Sequence, residues 1–148
     1  MQAESCQIYK TLKAMASRNI NDLHPTLSAV YQQAEKTWQQ RYPERPQPFL
    51  TCTFRNGKEQ NELYYIGRTR PGKKVTNARA GESPHNYMPS FAFDIAFISV
   101  TKKLAWDETL FRDFAAIVAE ISNEVVWGGD FKNLKDAPHF ELKNWKQK

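Results

Sequence analysis

From Leu23 onward, apolar side chains return at three- and four-residue steps: Leu23, Leu27, Val30, Tyr31, Ala34 and Trp38. That spacing describes one face of an α-helix, and Pro25 suits its first turn, where no amide donor is needed. "RYPERPQP" (41–48) stops the helix and makes an extended connection. "FLTCTF" (49–54), aromatic and β-branched, predicts a buried strand. "GKEQNELYYIG" predicts a short helix closed by Gly67, and the long polar stretch from Arg68 to Ser90, rich in glycine and proline, predicts a loop that is either functional or disordered. "FAFDIAFISV" (91–100) is the strongest strand signal. Asp107 can cap the next helix, where Leu110, Phe111, Phe114, Ile117, Val118 and Ile121 form an apolar stripe. "EVVW" and "HFEL" predict two further short strands, separated by the turn-rich "GGDFKNLKDAP". Residues 1–20 show weak periodicity, which predicts a short helix or an ordered arm. Helices and strands mix without a regular βαβ alternation, so the expected class is α+β, a small mixed domain with helices on a mainly antiparallel sheet.

The 148 residues fit one domain, 1–148, with segments 49–142 as its core. At 41% hydrophobic and 13% aromatic, the chain can build a real interior. No apolar run approaches the ~20 residues that cross a bilayer, so no stable membrane association is expected. The N-terminal segment has no apolar run followed by a small-residue cleavage site, which predicts a protein cytoplasmic at synthesis. A net charge of +5 is compatible with anionic partners but selects none of them. Cys6 and Cys52 are far apart and outside any metal-spaced pair, and Cys52 reads as a small buried hydrophobe.

Chemistry concentrates around two of the three histidines. His24, before Pro25, reads as a surface or capping residue, whereas His85 and His139 sit beside acidic residues at joins between loop and strand. Strand alternation puts Phe91, Phe93, Ile95 and Phe97 on one face and Ala92, Asp94, Ala96 and Ile98 on the other. A buried carboxylate at Asp94 needs a cation, either an arginine or a metal. In "KDAPHFEL" the alternation places His139 with Glu141, and Asp136 stands three residues before His139. Two neutral imidazoles and a carboxylate make a catalytic zinc set with a fourth position for water. A second carboxylate can then serve as general base, with Asp136 the natural choice and Glu141 the reserve.

Several ordered blocks resemble the zinc-dependent D-alanyl-D-alanine carboxypeptidase and L-alanyl-D-glutamate peptidase family, especially its small phage endolysins. They are "TFRNGKEQNELYYIGRTRPGKKVTNARAGESPHN", "AFDIAF" and "EVVWGGDFKNLKDAPHFEL", together running from about Leu50 to Leu142. The resemblance implies a Hedgehog/DD-peptidase-like fold, Zn²⁺ bound by His85, Asp94 and His139, and Asp136 as the base. It further implies that Arg55 pairs with a substrate carboxylate, with Ser83 and Gln60 as substrate-side or supporting polar residues. Arg68 and Arg70 read as surface or loop-ordering. Family members place the first histidine and the aspartate closer together, with a glycine between. Here they are nine positions apart, and Pro89-Ser90 read as an insertion.

The expected activity is hydrolysis of a stem-peptide bond of bacterial peptidoglycan, between L-alanine and D-glutamate. Removal of a terminal D-alanine is the alternative. A monomer is expected that reaches the cell wall after release through the inner membrane, with no nucleic-acid partner. Two rivals stand against this reading. Two histidines and a carboxylate also form the iron triad of non-haem oxygenases. A non-catalytic basic module could instead stack bases on Tyr64, Tyr65, Tyr87 and Trp127.

Overall fold

In the computed structural model, residues 16–148 are described; Cys6 and the expectation of a helix or arm over 1–20 fall wholly or mainly outside them. The architecture is α+β. Three helices, α1 (Pro25–Arg41), α2 (Gly57–Tyr65) and α3 (Glu108–Ile121), accompany one antiparallel sheet of five strands. The strands are β1 (Gln47–Cys52), β2 (Ala92–Ile98), β3 (Leu104–Ala105), β4 (Val125–Trp127) and β5 (His139–Leu142). Their order is β1-β2-β5-β4. Phe97 and Ile98 pair with β1 on one side and with β3 on the other, so β3 lies in line with β5.

The helix starts follow local chemistry. His24 Nδ1 accepts the Thr26 amide at 3.2 Å with Pro25 behind it, and Asp107 Oδ1 accepts the Thr109 amide at 3.0 Å. The apolar faces of α1 and α3 then meet the aromatic face of β2. Leu27, Tyr31, Trp38, Phe93, Phe97, Phe114 and Phe140 belong to one buried cluster. Two expected boundaries shift: β1 runs two residues earlier than "FLTCTF", and β2 ends at Ile98. The two-residue β3 was not foreseen, since two residues carry no readable periodicity.

Trp38 is the largest fully buried side chain. Its indole Nε1 donates to the Pro46 carbonyl at 3.0 Å, and its ring meets Tyr42 and Phe97 at centroid separations of 4.7 and 5.1 Å. Trp38→Ala is expected to lower the free energy of unfolding by about 3–5 kcal/mol, through lost burial and the cavity left behind. Denaturant titration reads this directly as a lower midpoint. A loss below about 1 kcal/mol would mean that the α1–sheet contact contributes little.

The alanine side of β2 is buried too: Ala92, Asp94 and Ala96 are at most 2% exposed. A carboxylate there lies under protein, and the residues around it decide its chemistry.

Candidate metal centre and active site

Strand register assembles the site. Asp94 on β2 is paired with Cys52 of β1 on one side and His139 of β5 on the other, giving a row of three polar side chains across the sheet. His85 arrives from the loop, on a single 3-10 turn (Pro84–Asn86). Ser83 caps that turn, its Oγ accepting the His85 amide at 3.2 Å while Asn86 Oδ1 accepts the Ser83 amide at 3.2 Å. The Arg55 amide donates to the His85 carbonyl at 2.9 Å and ties the turn to the end of β1.

Asp94 Oδ1 lies 3.2 Å from His85 Nε2 and 3.0 Å from His139 Nδ1. The outer nitrogens settle the tautomers. His85 Nδ1 is 2.9 Å from the Thr53 carbonyl, which can only accept, so that nitrogen donates. His139 Nε2 is 2.8 Å from Glu141 Oε1 and donates to that carboxylate. A neutral imidazole has one N–H, so each ring turns a lone pair inward toward the same carboxylate oxygen. Three electron-rich atoms at these separations need a proton or a cation among them. The donor set, two imidazole nitrogens and a carboxylate with outer partners that fix both rings, suits a divalent transition metal. Asp136 offers a fourth oxygen, within 4.8 Å of the ligand atoms of Asp94 and His139.

Without a metal, protons fill this gap. Burial alone would lower the His139 pKa, but hydrogen bonds to Asp94 and Glu141 and the charges of Asp94 and Asp136 outweigh it and push it up to about 10. His85 is raised as well, burial opposing and the charges of Cys52 and Asp94 prevailing. Both folded values exceed the unfolded ~6.5. The stability they contribute is complete below pH ~6.5 and is lost as pH climbs, for His139 through about 10. With a chelator present, Tm should therefore fall between pH ~6.5 and ~10. A divalent metal should stabilise most at the alkaline end, where its ligands are deprotonated. A chelated protein with a level Tm across that range would contradict this arrangement.

The turn after β4 places Asp136. The Asp136 amide donates to the Gly128 carbonyl at 3.0 Å, and Trp127 Nε1 donates to the Ala137 carbonyl at 2.7 Å. A Cβ at Gly128 would strike the Asp136 carbonyl and come within 3.0 Å of His139 Cβ, so glycine is needed for this close approach. Asp136 itself is exposed. Glu141, the reserve for the base, is engaged by His139.

The longer connection from His85 to Asp94 is absorbed by a tie to the start of the fold. Ser90 bridges Leu23, and its amide donates to the Asp22 carbonyl at 2.7 Å. Ser90 Oγ is buried 2.6 Å from the Thr53 carbonyl, the same oxygen that receives His85 Nδ1–H. The residues read as an insertion thus buttress the first histidine.

Arg55 is 5% exposed. Its Nη1 donates to Gln60 Oε1 at 3.0 Å, and its Nη2 reaches Cys52 Sγ at 3.5 Å and Asp94 Oδ2 at 3.9 Å. Its Nε has no hydrogen-bond partner among the described residues. Gln60 is fully buried and holds the loop as well, Nε2 donating to the Ala78 carbonyl at 2.8 Å. Its place in this structure is that of a strut beneath Arg55. Arg68 orders the same loop, bonding the Tyr64 and Thr76 carbonyls at 2.6 and 3.0 Å, while Arg70 pairs with Glu62 at the surface. Cys52 is buried as expected, but its sulfur also faces His85 Nδ1 at 3.5 Å. That contact joins the end of β1 to the turn that carries His85, 33 residues further on, which no local pattern encodes. A cleft of about 790 Å³ opens over these groups, lined among others by Arg55, Ser83, His85, Asp94, Asp136 and His139.

Known proteins resemble this chain in sequence and fold. Residues 76–142, which carry His85, Asp94, Asp136 and His139, match the peptidase M15 family model described as D-alanyl-D-alanine carboxypeptidase. Over 101 residues the chain is 42% identical to the peptidoglycan L-alanyl-D-glutamate endopeptidase CwlK of Bacillus subtilis (strain 168). That alignment covers 63% of this chain, and the chain spans 59% of the length of CwlK. The crystal structure of the Serratia marcescens L-Ala D-Glu endopeptidase ChiX has the same fold, with a TM-score of 0.65, 24% identity and 91% of each chain covered.

Proposed function

We propose that this chain is a metal-dependent peptidase that hydrolyses the L-alanyl-D-glutamate bond of peptidoglycan stem peptides, with Zn²⁺ as its ion. The observation that carries the reading is the convergence of His85 Nε2, His139 Nδ1 and Asp94 Oδ1 at the foot of an open cleft, with Asp136 beside them. The 42% identity to an enzyme named for that bond supports the choice of substrate.

His85, Asp94 and His139 would hold the ion, which would supply Lewis acidity and bring the pKa of water toward ~7. Asp136 takes the proton from the attacking water and passes it to the leaving amine. Arg55 and Ser83, both lining the cleft, orient the peptide through one of its carboxylates, and Gln60 keeps the guanidinium in place. A role in lysis of the phage endolysin kind, exerted once the inner membrane is breached, fits the basic surface of net charge +5. Among the described residues no helix is long and apolar enough to cross a membrane. Tyr64, one of the aromatics that a base-stacking module would use, lies beneath the Arg68 and Arg79 guanidinium groups at 3.8 and 4.9 Å.

Mass spectrometry of purified peptidoglycan after digestion tests the bond. The expected fragments begin with a free glutamate amine. Release of D-alanine alone would move the assignment to a carboxypeptidase, and unchanged peptidoglycan would refute a peptidase. Metal analysis of the same preparation distinguishes zinc from iron.

A further inference from the structure

We infer that the cleft selects acidic stem peptides, with several free carboxylates, over the same peptides carrying carboxamides, and that Lys73, Lys74, Lys135 and Lys146 make the selection. This rests on the peptidase reading above and narrows its substrate. The four lysines come from three separate segments: the loop after α2, the β4–β5 connection and the C-terminal turn. All four line the one cleft and are exposed. None of their ammonium groups forms an ion pair among the described residues.

Three of the four acidic groups of the cleft are hydrogen-bonded within the protein. Asp94 sits between two imidazoles, Glu141 is bonded to His139, and Glu82 accepts the Arg79 amide at 2.8 Å. Asp136 and Glu82 are exposed and keep their charge beside the lysines, Asp136 for proton transfer. With four lysines against two exposed carboxylates, the rim of the cleft carries a net positive charge. Lysines of like sign gathered around a concave surface focus their field and hold anions that a single exposed ammonium would not. The lysine-bearing loop is also held in position, by Gln60 at Ala78 and by Arg68 at Thr76. Converting a substrate carboxylate to a carboxamide removes the charge while keeping nearly the same shape, so the two forms differ in their response to that field.

The test uses the full chain loaded with zinc and two synthetic L-alanyl-γ-D-glutamyl peptides. They differ only in carrying free carboxylates or carboxamides at the glutamate α-position and at the C-terminus. The acid form should have a kcat/KM about tenfold higher, mainly through KM, with the gap shrinking at high salt. In K73Q/K74Q/K135Q/K146Q the acid-to-amide ratio should fall by about threefold or more, the remainder belonging to Arg55, with circular dichroism verifying that these surface changes leave the fold intact. Equal kcat/KM for the two peptides with the unmodified protein would overturn the inference. So would a ratio undiminished in the lysine variant, because Arg55 alone or another group would then be reading the carboxylates. If neither peptide is cut, the peptidase reading fails by itself, and equilibrium binding of the same pair still decides the charge selection. Tighter binding of the acid form that depends on the lysines would support it, and equal binding would refute it.

Discussion

Asp94→Ala is expected to empty the metal site and lower turnover together, each by more than about 10²-fold. Loss of a partner one bond removed from a metal typically costs 10- to 100-fold, and Asp94 is more central than that. Its Oδ1 lies within 3.2 Å of both His85 Nε2 and His139 Nδ1. Without the carboxylate the two imidazoles face each other across a buried gap that has lost the anion between them that offsets a divalent charge. Metal content by elemental analysis and peptide turnover should fall in parallel. A second readout needs no metal. The elevated pKa of His139 depends first on its hydrogen bond to Asp94 among the effects that raise it. The alkaline loss of Tm in chelator should therefore shrink in the variant. An Asp94→Ala protein that still bound one equivalent of metal would remove the basis for this site.

Asp136→Asn separates holding a metal from using it. The exposed carboxylate approaches the ligand atoms of Asp94 and His139, and its backbone is pinned to Gly128. A positioned general base contributes typically 10²–10⁴-fold, so kcat should drop by that factor while metal content stays near one equivalent. Stability should move by no more than about 0.5 kcal/mol, because the side chain is at the surface and the turn is held through main-chain atoms. Full activity in the variant would exclude Asp136 as the base. Parallel loss of metal would instead make it a fourth ligand.

Side-chain patterns foretold much of this protein. The stripes of α1 and α3 and the alternation along β2 are local, and each came out as helix or strand with the expected face toward the core. The same alternation singled out Asp94, and the Asp136–His139 spacing singled out the other end of the site. The caps at His24 and Asp107 were legible for the same reason, since a cap involves residues within one turn.

Partnership across the chain was not legible. That β2 pairs with β5 so that Asp94 meets His139, and with β1 so that it also meets Cys52, depends on register. A slip of one residue would send each of these side chains to the opposite face. The tasks of Glu141, Ser90 and Gln60 likewise emerged only in three dimensions. Each satisfies a polar group brought to it by folding: His139 Nε2, the Thr53 carbonyl, and Arg55 with the Ala78 carbonyl. Composition and periodicity determined which segments would be helix, strand and loop, and which residues had the chemistry to bind a metal. Tertiary structure alone decided which nitrogen of each histidine faces inward, because that choice is made by hydrogen bonds to atoms distant in the chain or fixed by sheet geometry.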